Sequence, residues 1–273
     1  SLGKKHVKVN NSQIEIDAAY EGEKYLSLFE AKRDLSDDFL VRQLYYPFRV
    51  WKGRVSKVVK SIFFIFSNGV FNLYQYQFDE PLDYSSLHLV KQRCYVIATE
   101  ISLADIENLL RTIPIVQEPQ IAFPQANNML RIINLMELLN EKSMTKQDIT
   151  SEYAFDERQT NYYTDAGRYL GLIDKDYDEN KKILFKLSSL GRRIMSLMYK
   201  ERQLAIVSQI LKHKAFNETL KLHLLHGEMP DTKTIVKIMR HSRLYNISSD
   251  STYNRRSSTI VGWINWILSI IEE

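Results

Sequence analysis

The segment Ile14–Arg49, IEIDAAYEGEKYLSLFEAKRDLSDDFLVRQLYYPFR, decides the fold of the first part of this chain. Its first half alternates polar and apolar residues on either side of a turn at 21–23, which predicts two antiparallel strands. In its second half, apolar residues recur three or four positions apart. This spacing predicts a helix over 38–51, capped by Ser36 or Asp37.

Further strands are predicted around this segment. The apolar run at 61–66 is typical of a central buried strand, and Pro47 is expected to kink or end the helix because proline lacks an amide proton. The other predicted elements are strands at 6–9, 70–78 and 91–99 and a helix at 102–111. We therefore expect residues 1–113 to form an α/β (α+β) domain with a mixed sheet.

Two carboxylates are predicted to meet at one edge of this sheet. Glu30 and Lys32 are two residues apart in a strand and therefore share a face, and the hairpin brings Asp17 opposite Glu30. Such a pair suits Mg²⁺, which takes few carboxylates together with water and phosphate oxygens. The alternative is an ordinary surface Glu-Lys pair beside an unrelated aspartate.

The order of these features resembles the PD-(D/E)xK nuclease superfamily over about residues 5–80. The resemblance implies that Asp17, Glu30 and the backbone carbonyl of Ala31 bind Mg²⁺, with Mn²⁺ as a substitute. It also implies that Lys32 is the catalytic lysine and that Gln43 is a polar residue beside the site.

The match departs from the superfamily at two places. A Q-x-x-x-Y pattern would put tyrosine at position 47, but Tyr45 and Tyr46 come earlier, so their role stays open. The opening helix of the superfamily is missing, and the sequence begins without Met, so we expect a fragment that lacks upstream residues. Glu15 shares the face of Asp17 and is either an accessory ligand or a solvated strand residue.

The second part of the chain is predicted to be mainly helical. The segment 114–125 holds three prolines and predicts a linker or a strand on the surface. Three helices and a hairpin over 126–200 resemble a winged helix-turn-helix domain. Side chains of its third helix and wing could contact DNA, namely Arg158, Gln159, Asn161, Tyr162, Arg168, Lys181 and Lys182.

Residues 201–273 predict a second helix-turn-helix-like domain. Its last helix starts with a polar, basic portion that contains Arg255, Arg256 and Ser258, which we interpret as DNA contacts. Three histidines, at 213, 223 and 226, lack a carboxylate or cysteine to complete a metal site, so we expect surface or packing roles.

Composition limits the possible classes of protein. All of the net charge of +4 lies after residue 120, as expected for a polyanion-binding half. The single cysteine excludes an internal disulfide framework, and no apolar run approaches the ~20 residues of a membrane span. We therefore expect a cytoplasmic protein whose partner is double-stranded DNA, with no membrane and no small-molecule substrate.

The segments FPQANNMLRIINLMELL and NISSDSTYNRRSSTIVGWINWIL resemble the C-terminal regions of type II restriction endonucleases. The function implied is hydrolysis of DNA at sites chosen by the helical domains, by a homodimer at least on DNA. Two alternatives stay open: a repair or recombination nuclease of the same superfamily, and a DNA-binding regulator whose nuclease-like domain is catalytically silent.

Overall fold

The computed structural model describes residues 13–32, 40–97, 100–153 and 157–271. The chain divides into two compact units. The first, here called the sheet unit, runs to Phe66 and includes Val70–Val96. The second, the helical unit, takes in Ser67–Gly69 and everything from Ile97 onward. The division therefore falls at residue 96, ahead of the predicted boundary at 114–125, and the two predicted C-terminal domains lie in one unit.

The sheet unit holds a mixed sheet, as predicted. Its described strands are β1 (Ala18–Glu21), β2 (Tyr25–Lys32), β3 (Val58–Ser67), β4 (Val70–Phe78) and β5 (Leu87–Val96), hydrogen-bonded in the order β1-β2-β3-β4-β5. β1 runs antiparallel to β2, and β2 runs parallel to β3. The predicted strand at 6–9 lies outside the described residues.

One helix, α1 (Val41–Lys52), packs on one face of this sheet. It begins after Leu40, which makes no side-chain cap, and the caps predicted at 36 and 37 lie outside the described residues. Pro47 lies inside the helix and does not end it. Proline removes only one helical donor, and the buried neighbours Leu44 and Phe48 hold this stretch against the sheet.

The helical unit begins with α2 (Leu103–Thr112), whose cap Ser102 exchanges hydrogen bonds with Asp105. A small sheet joins β6 (Met144–Thr145), β8 (Ile183–Leu187) and β7 (Ile173–Tyr177) in that order. The remaining described helices are α3 (Met129–Glu141), α4 (Lys146–Tyr153), α5 (Glu157–Tyr169), α6 (Ser189–Met195), α7 (Tyr199–Leu211), α8 (Lys214–His226), α9 (Thr232–His241) and α10 (Asp250–Ser269). Among the described residues, no helix has both the length and the apolar character needed to cross a membrane.

The proline-rich segment 114–125 has no helix or strand; residues 114–117 are exposed, as expected for a linker, but the end of the segment is buried. Phe123 is only 1% exposed and stacks on Phe216 at 5.5 Å between ring centroids. Thr259 of α10 donates a hydrogen bond to the carbonyl of Pro124, and Trp263 donates one to that of Ala126. The end of the segment, at 123–126, is thus part of the core of the helical unit.

Candidate functional site

The hairpin of β1 and β2 positions the first carboxylate. Ala18 pairs with Phe29, so Asp17 lies opposite Glu30, one residue beyond the last registered pair. One carboxylate oxygen of Asp17 accepts a hydrogen bond of 2.7 Å from the backbone amide of Ala31. The side chain of Asp17 is therefore fixed across the end of β2.

Glu30 is the buried member of the site. It follows Leu26 and Leu28 on the face of β2 that packs against α1, and it is only 8% exposed. Its Oε1 accepts hydrogen bonds of 2.7 Å from Gln43 Nε2 and 2.7 Å from Lys32 Nζ. A carboxylate buried on an apolar face costs free energy unless it is paired, and these two donors supply that pairing.

All of the residues predicted for the catalytic centre line one open cleft of about 820 Å³. Its lining comprises Gln13, Ile14, Glu15, Asp17, Glu30, Ala31, Lys32, Arg42, Gln43, Tyr46 and Pro47. The sequence prediction missed Arg42, which precedes Gln43 and lies one helical turn before Tyr46. That spacing puts Arg42 and Tyr46 on one side of α1, and it could have identified both as residues of the cleft.

Tyr45 and Tyr46, whose role the sequence left open, have different surroundings in the structure. Tyr46 lines the cleft and is 49% exposed. Tyr45 instead donates a hydrogen bond to the carbonyl of Pro81, and its ring packs against Phe78 at 5.1 Å. Tyr45 therefore stabilises the sheet unit, and Tyr46 is the tyrosine available to a ligand.

The oxygen donors of the cleft suit a hard cation. Asp17 and Glu30 contribute carboxylates, and the exposed Ala31, whose backbone carbonyl is the third predicted ligand, lines the same cleft. Mg²⁺ typically binds one or two carboxylates and completes its shell with water and phosphate oxygens. Within the described residues, no group of three or more His, Cys, Asp or Glu side chains could hold a metal ion, so this site would need water and phosphate oxygens as further ligands.

The predicted DNA contacts on α5 are partly exposed. Arg158, Gln159 and Asn161 are exposed, whereas Tyr162 is half-buried and accepts a hydrogen bond from Arg158 Nε. Arg168 forms an ion pair of 2.9 Å with Asp165. The end of α5 therefore offers less free positive charge than its sequence suggested.

The hairpin of β7 and β8 carries Lys181 and Lys182 on its exposed turn. Asp178 accepts a hydrogen bond of 2.7 Å from the amide of Lys182, and Lys186 pairs with Asp176. Acidic residues thus stand beside both predicted lysine contacts. Asp178 therefore holds the turn in place through its hydrogen bonds, and its negative charge offsets part of the positive charge of the two lysines.

The predicted contacts on α10 divide into two groups. Arg255 and Ser258 are exposed. The guanidinium of Arg256 instead donates to the backbone carbonyl of Phe123, and burial, reinforced by the charge of Arg255, lowers its pKa. The polar first half of α10 therefore serves in part to hold the segment 123–126, and Arg256 is directed inward rather than to a ligand.

The histidines lie apart from these surfaces. His213 is buried and stacks on Tyr169 at 4.1 Å between ring centroids, with Nδ1 3.4 Å from Glu118 Oε2. Tyr169 donates a hydrogen bond to the same carboxylate, and burial, followed by the charge of Glu118, raises its pKa well above the usual value. His213 thus has the predicted packing role, while His223 is half-buried and His226 is exposed on α8.

Comparison with known proteins identified two family models. A domain of unknown function, DUF6997, matches residues 1–96, and a second, DUF7226, matches residues 131–272. The end of the first match coincides with the last residue of the sheet unit. No curated protein and no solved structure matched the chain.

Proposed function

This chain belongs to the DUF7226 family, and we propose that it is a magnesium-dependent endonuclease that hydrolyses phosphodiester bonds of DNA. One observation carries this proposal. Glu30 and Lys32 of β2, Gln43 of α1 and Asp17, the residue before β1, line a single cleft at the end of β2. Carboxylates beside a lysine and an open hollow suit a phosphate ester better than an apolar ligand.

Each side chain has a distinct task in this proposal. Asp17 and Glu30, together with the carbonyl of Ala31, would hold Mg²⁺, which would supply Lewis-acid polarisation of the phosphate and of a water ligand. Gln43 orients Glu30 through its amide hydrogen bond. Lys32 supplies an ammonium group, one-third exposed, that can donate to a phosphate oxygen and offset negative charge in the transition state.

The helical unit is proposed to select the cleavage site on double-stranded DNA. Its element order α3-β6-α4-α5-β7-β8 is that expected for a winged helix-turn-helix, with α5 as the recognition helix. Exposed Arg158, Gln159 and Asn161 on this helix can hydrogen-bond to bases and phosphates. A type II restriction endonuclease that acts in the cytoplasm, as a homodimer on DNA, fits these features best.

A second candidate is a repair or recombination nuclease that recognises DNA structure instead of a sequence. It is favoured by three aromatic side chains, Phe64, Phe66 and Phe71, that line a second hollow together with Asp17 and Lys32. Both candidates share the same chemistry at Asp17, Glu30 and Lys32. They differ in whether the products of cleavage have defined sequence positions.

The test is cleavage of plasmid and synthetic DNA by the full chain with Mg²⁺. We expect Lys32→Ala to lower the rate by about 100-fold or more, in the range typical of a lost catalytic group. Lys57→Ala is the matched control, because Lys57 also pairs with a glutamate, Glu21, in the same unit but outside the cleft. Its rate should equal that of the wild type.

The products distinguish the candidates. Discrete fragments indicate a restriction enzyme, whereas cleavage confined to branched or unpaired substrates indicates a repair nuclease. Tight site-specific binding without cleavage indicates a silent regulator and refutes the proposal. Equal cleavage by Lys32→Ala and the wild type refutes it as well. Mn²⁺ titration followed by electron paramagnetic resonance should show weaker binding in Asp17→Asn, independently of activity.

A further inference from the structure

A second hollow lies beside the candidate active site. It measures about 500 Å³ and is lined by Asp17, Ala31, Lys32, Phe64, Phe66 and Phe71. We call it the aromatic groove. Its first three lining residues also line the catalytic cleft, so the two hollows meet at the end of β2.

Strand register explains why the aromatic groove faces away from α1. Residues paired across β2 and β3 share a face, and Ala31 pairs with Phe64 while Glu30 pairs with Phe63. Phe63 is buried in the cluster that includes residues of α1, whereas Phe64 points to the opposite face. The cleft and the groove therefore lie on the two faces of the sheet and meet at the end of β2, where Ala31 lines both.

Of the three rings in the groove, that of Phe66 is exposed to solvent, and those of Phe64 and Phe71 are half-buried. Phe66 is 40% exposed, and its ring centroid lies 4.7 Å from that of Phe71. Phe64 stacks on Phe71 at 6.2 Å. Aromatic rings that form a continuous surface next to a cationic side chain are a common platform for nucleobases, because every base has a π-face.

We propose that the aromatic groove binds an unstacked nucleobase of the strand whose phosphate lies in the catalytic cleft. This inference rests on the proposed nuclease function. A base is attached to its own phosphate through one sugar, and the groove shares Asp17, Ala31 and Lys32 with the cleft, so both groups can be held by one nucleotide. The phosphate lies against the polar cleft, and the base passes over Ala31 to the rings.

The groove also defines the class of substrate. Bases inside an intact duplex are stacked on their neighbours and present no free face to a protein ring. The nucleotide at the cleavage position is therefore unpaired or is flipped out of the duplex. Single strands, flaps, mismatches and sites of base flipping meet this requirement.

The test uses the full chain and two labelled oligonucleotides of the same sequence, one single-stranded and one a blunt duplex, with Ca²⁺ in place of Mg²⁺. Fluorescence anisotropy should show about tenfold weaker binding of the single strand to Phe66→Ala, the size of one lost base–ring contact. Phe66→Tyr keeps the ring and should bind like the wild type. Leu82→Ala, which removes another exposed apolar side chain of the same unit, is the control.

A second variant fills the groove without removing any ring. Ala31→Leu leaves the backbone carbonyl in place and should weaken single-strand binding as much as Phe66→Ala. Circular dichroism and thermal unfolding of each variant show whether it is folded. Unchanged single-strand affinity in both folded variants overturns the inference, as does a wild type that does not bind the single strand.

The inference and the proposed function fail in different ways. Glu30 lies in the cleft and not in the groove, so Glu30→Gln should abolish cleavage while the effect of Phe66→Ala on binding persists. Cleavage by the wild type with normal single-strand binding by Phe66→Ala overturns only the base site. If sedimentation shows that Phe66→Ala dissociates a dimer without changing affinity for the oligonucleotide, the groove is an interface between copies and the inference is wrong.

Discussion

Two tryptophans of α10 provide a matched pair for testing how the helical unit is held together. Trp263 is fully buried, stacks on Phe216 at 4.8 Å, and donates a hydrogen bond of 2.7 Å from Nε1 to the carbonyl of Ala126. Trp266 is also buried, but its Nε1 has no hydrogen-bond partner among the described residues. The same substitution therefore has different consequences at the two positions.

Trp263→Phe keeps the stacked ring but leaves the carbonyl of Ala126 buried and unpaired. We expect a loss of about 1–3 kcal/mol for that carbonyl and about 1 kcal/mol for the smaller buried surface. The total of about 3 kcal/mol corresponds to a fall in Tm of about 6–12 °C for a unit of this size. Trp266→Phe loses similar surface but also removes an unpaired donor, so it should cost about 1 kcal/mol or less.

Urea and thermal unfolding of the full chain, followed by far-ultraviolet circular dichroism, measure both variants. The decisive quantity is the difference between the two free energies of unfolding, because the loss of ring area cancels. Equal destabilisation by Trp263→Phe and Trp266→Phe would contradict the assigned hydrogen bond. A loss of less than about 1 kcal/mol in the free energy of unfolding of Trp263→Phe would also contradict this hydrogen bond. Leaving a carbonyl buried and unpaired costs at least about 1 kcal/mol.

Two further predictions concern stability. Gly262→Ala should destabilise the chain by several kcal/mol, since a Cβ there would lie 2.2 Å from the backbone carbonyl of Asn127; Gly53→Ala, with open space around it, should change the Tm by no more than a few degrees. Lys200, hydrogen-bonded to Asp105, is the main cause that lowers the pKa of this carboxyl from 3.8 to about 2. Because the pKa is lowered on folding, the stabilisation is present above pH 4 and is lost as the pH falls towards 2. The difference in Tm between the wild type and Asp105→Asn should therefore shrink over that range, and a constant difference would show that the ion pair does not contribute.

Local patterns were sufficient to predict the elements that position the candidate site. Alternation and a turn predicted the β1–β2 hairpin, and the hairpin in turn set Asp17 opposite Glu30. Helical spacing predicted α1 with Gln43 on the side facing the sheet, where its amide reaches Glu30. These relations depend on residues close in sequence, which is why sequence periodicity captures them.

Long-range contacts set the limits of the sequence prediction. The basic start of α10 resembles a recognition surface when only its own residues are considered. In the structure, Arg256 and Thr259 donate to carbonyls of the segment 123–126, about 135 residues earlier in the chain. The same contacts turn a predicted linker into part of a core. Nothing in the local composition of either segment encodes this pairing, because it depends on which surfaces meet after folding.

Two lysine–glutamate pairs in the sheet unit show what distinguishes a candidate site from an ordinary surface contact. Lys57 lies 2.6 Å from Glu21 and Lys32 lies 2.7 Å from Glu30, so distance alone does not separate them. The side chain of Glu21 is 62% exposed, whereas that of Glu30 is 10% exposed. An exposed pair contributes little and constrains little.

Burial of Glu30 at the end of an apolar strand face costs free energy, and a leucine at that position would pack the sheet against α1 without this cost. The chain instead places a carboxylate there and supplies it with two donors from different elements, Lys32 and Gln43. Local rules of packing are typically broken in this way where a side chain serves a reaction or a ligand. The buried carboxylate with its two donors, and not the short E-x-K sequence, is therefore the stronger support for the proposed catalytic role of this cleft.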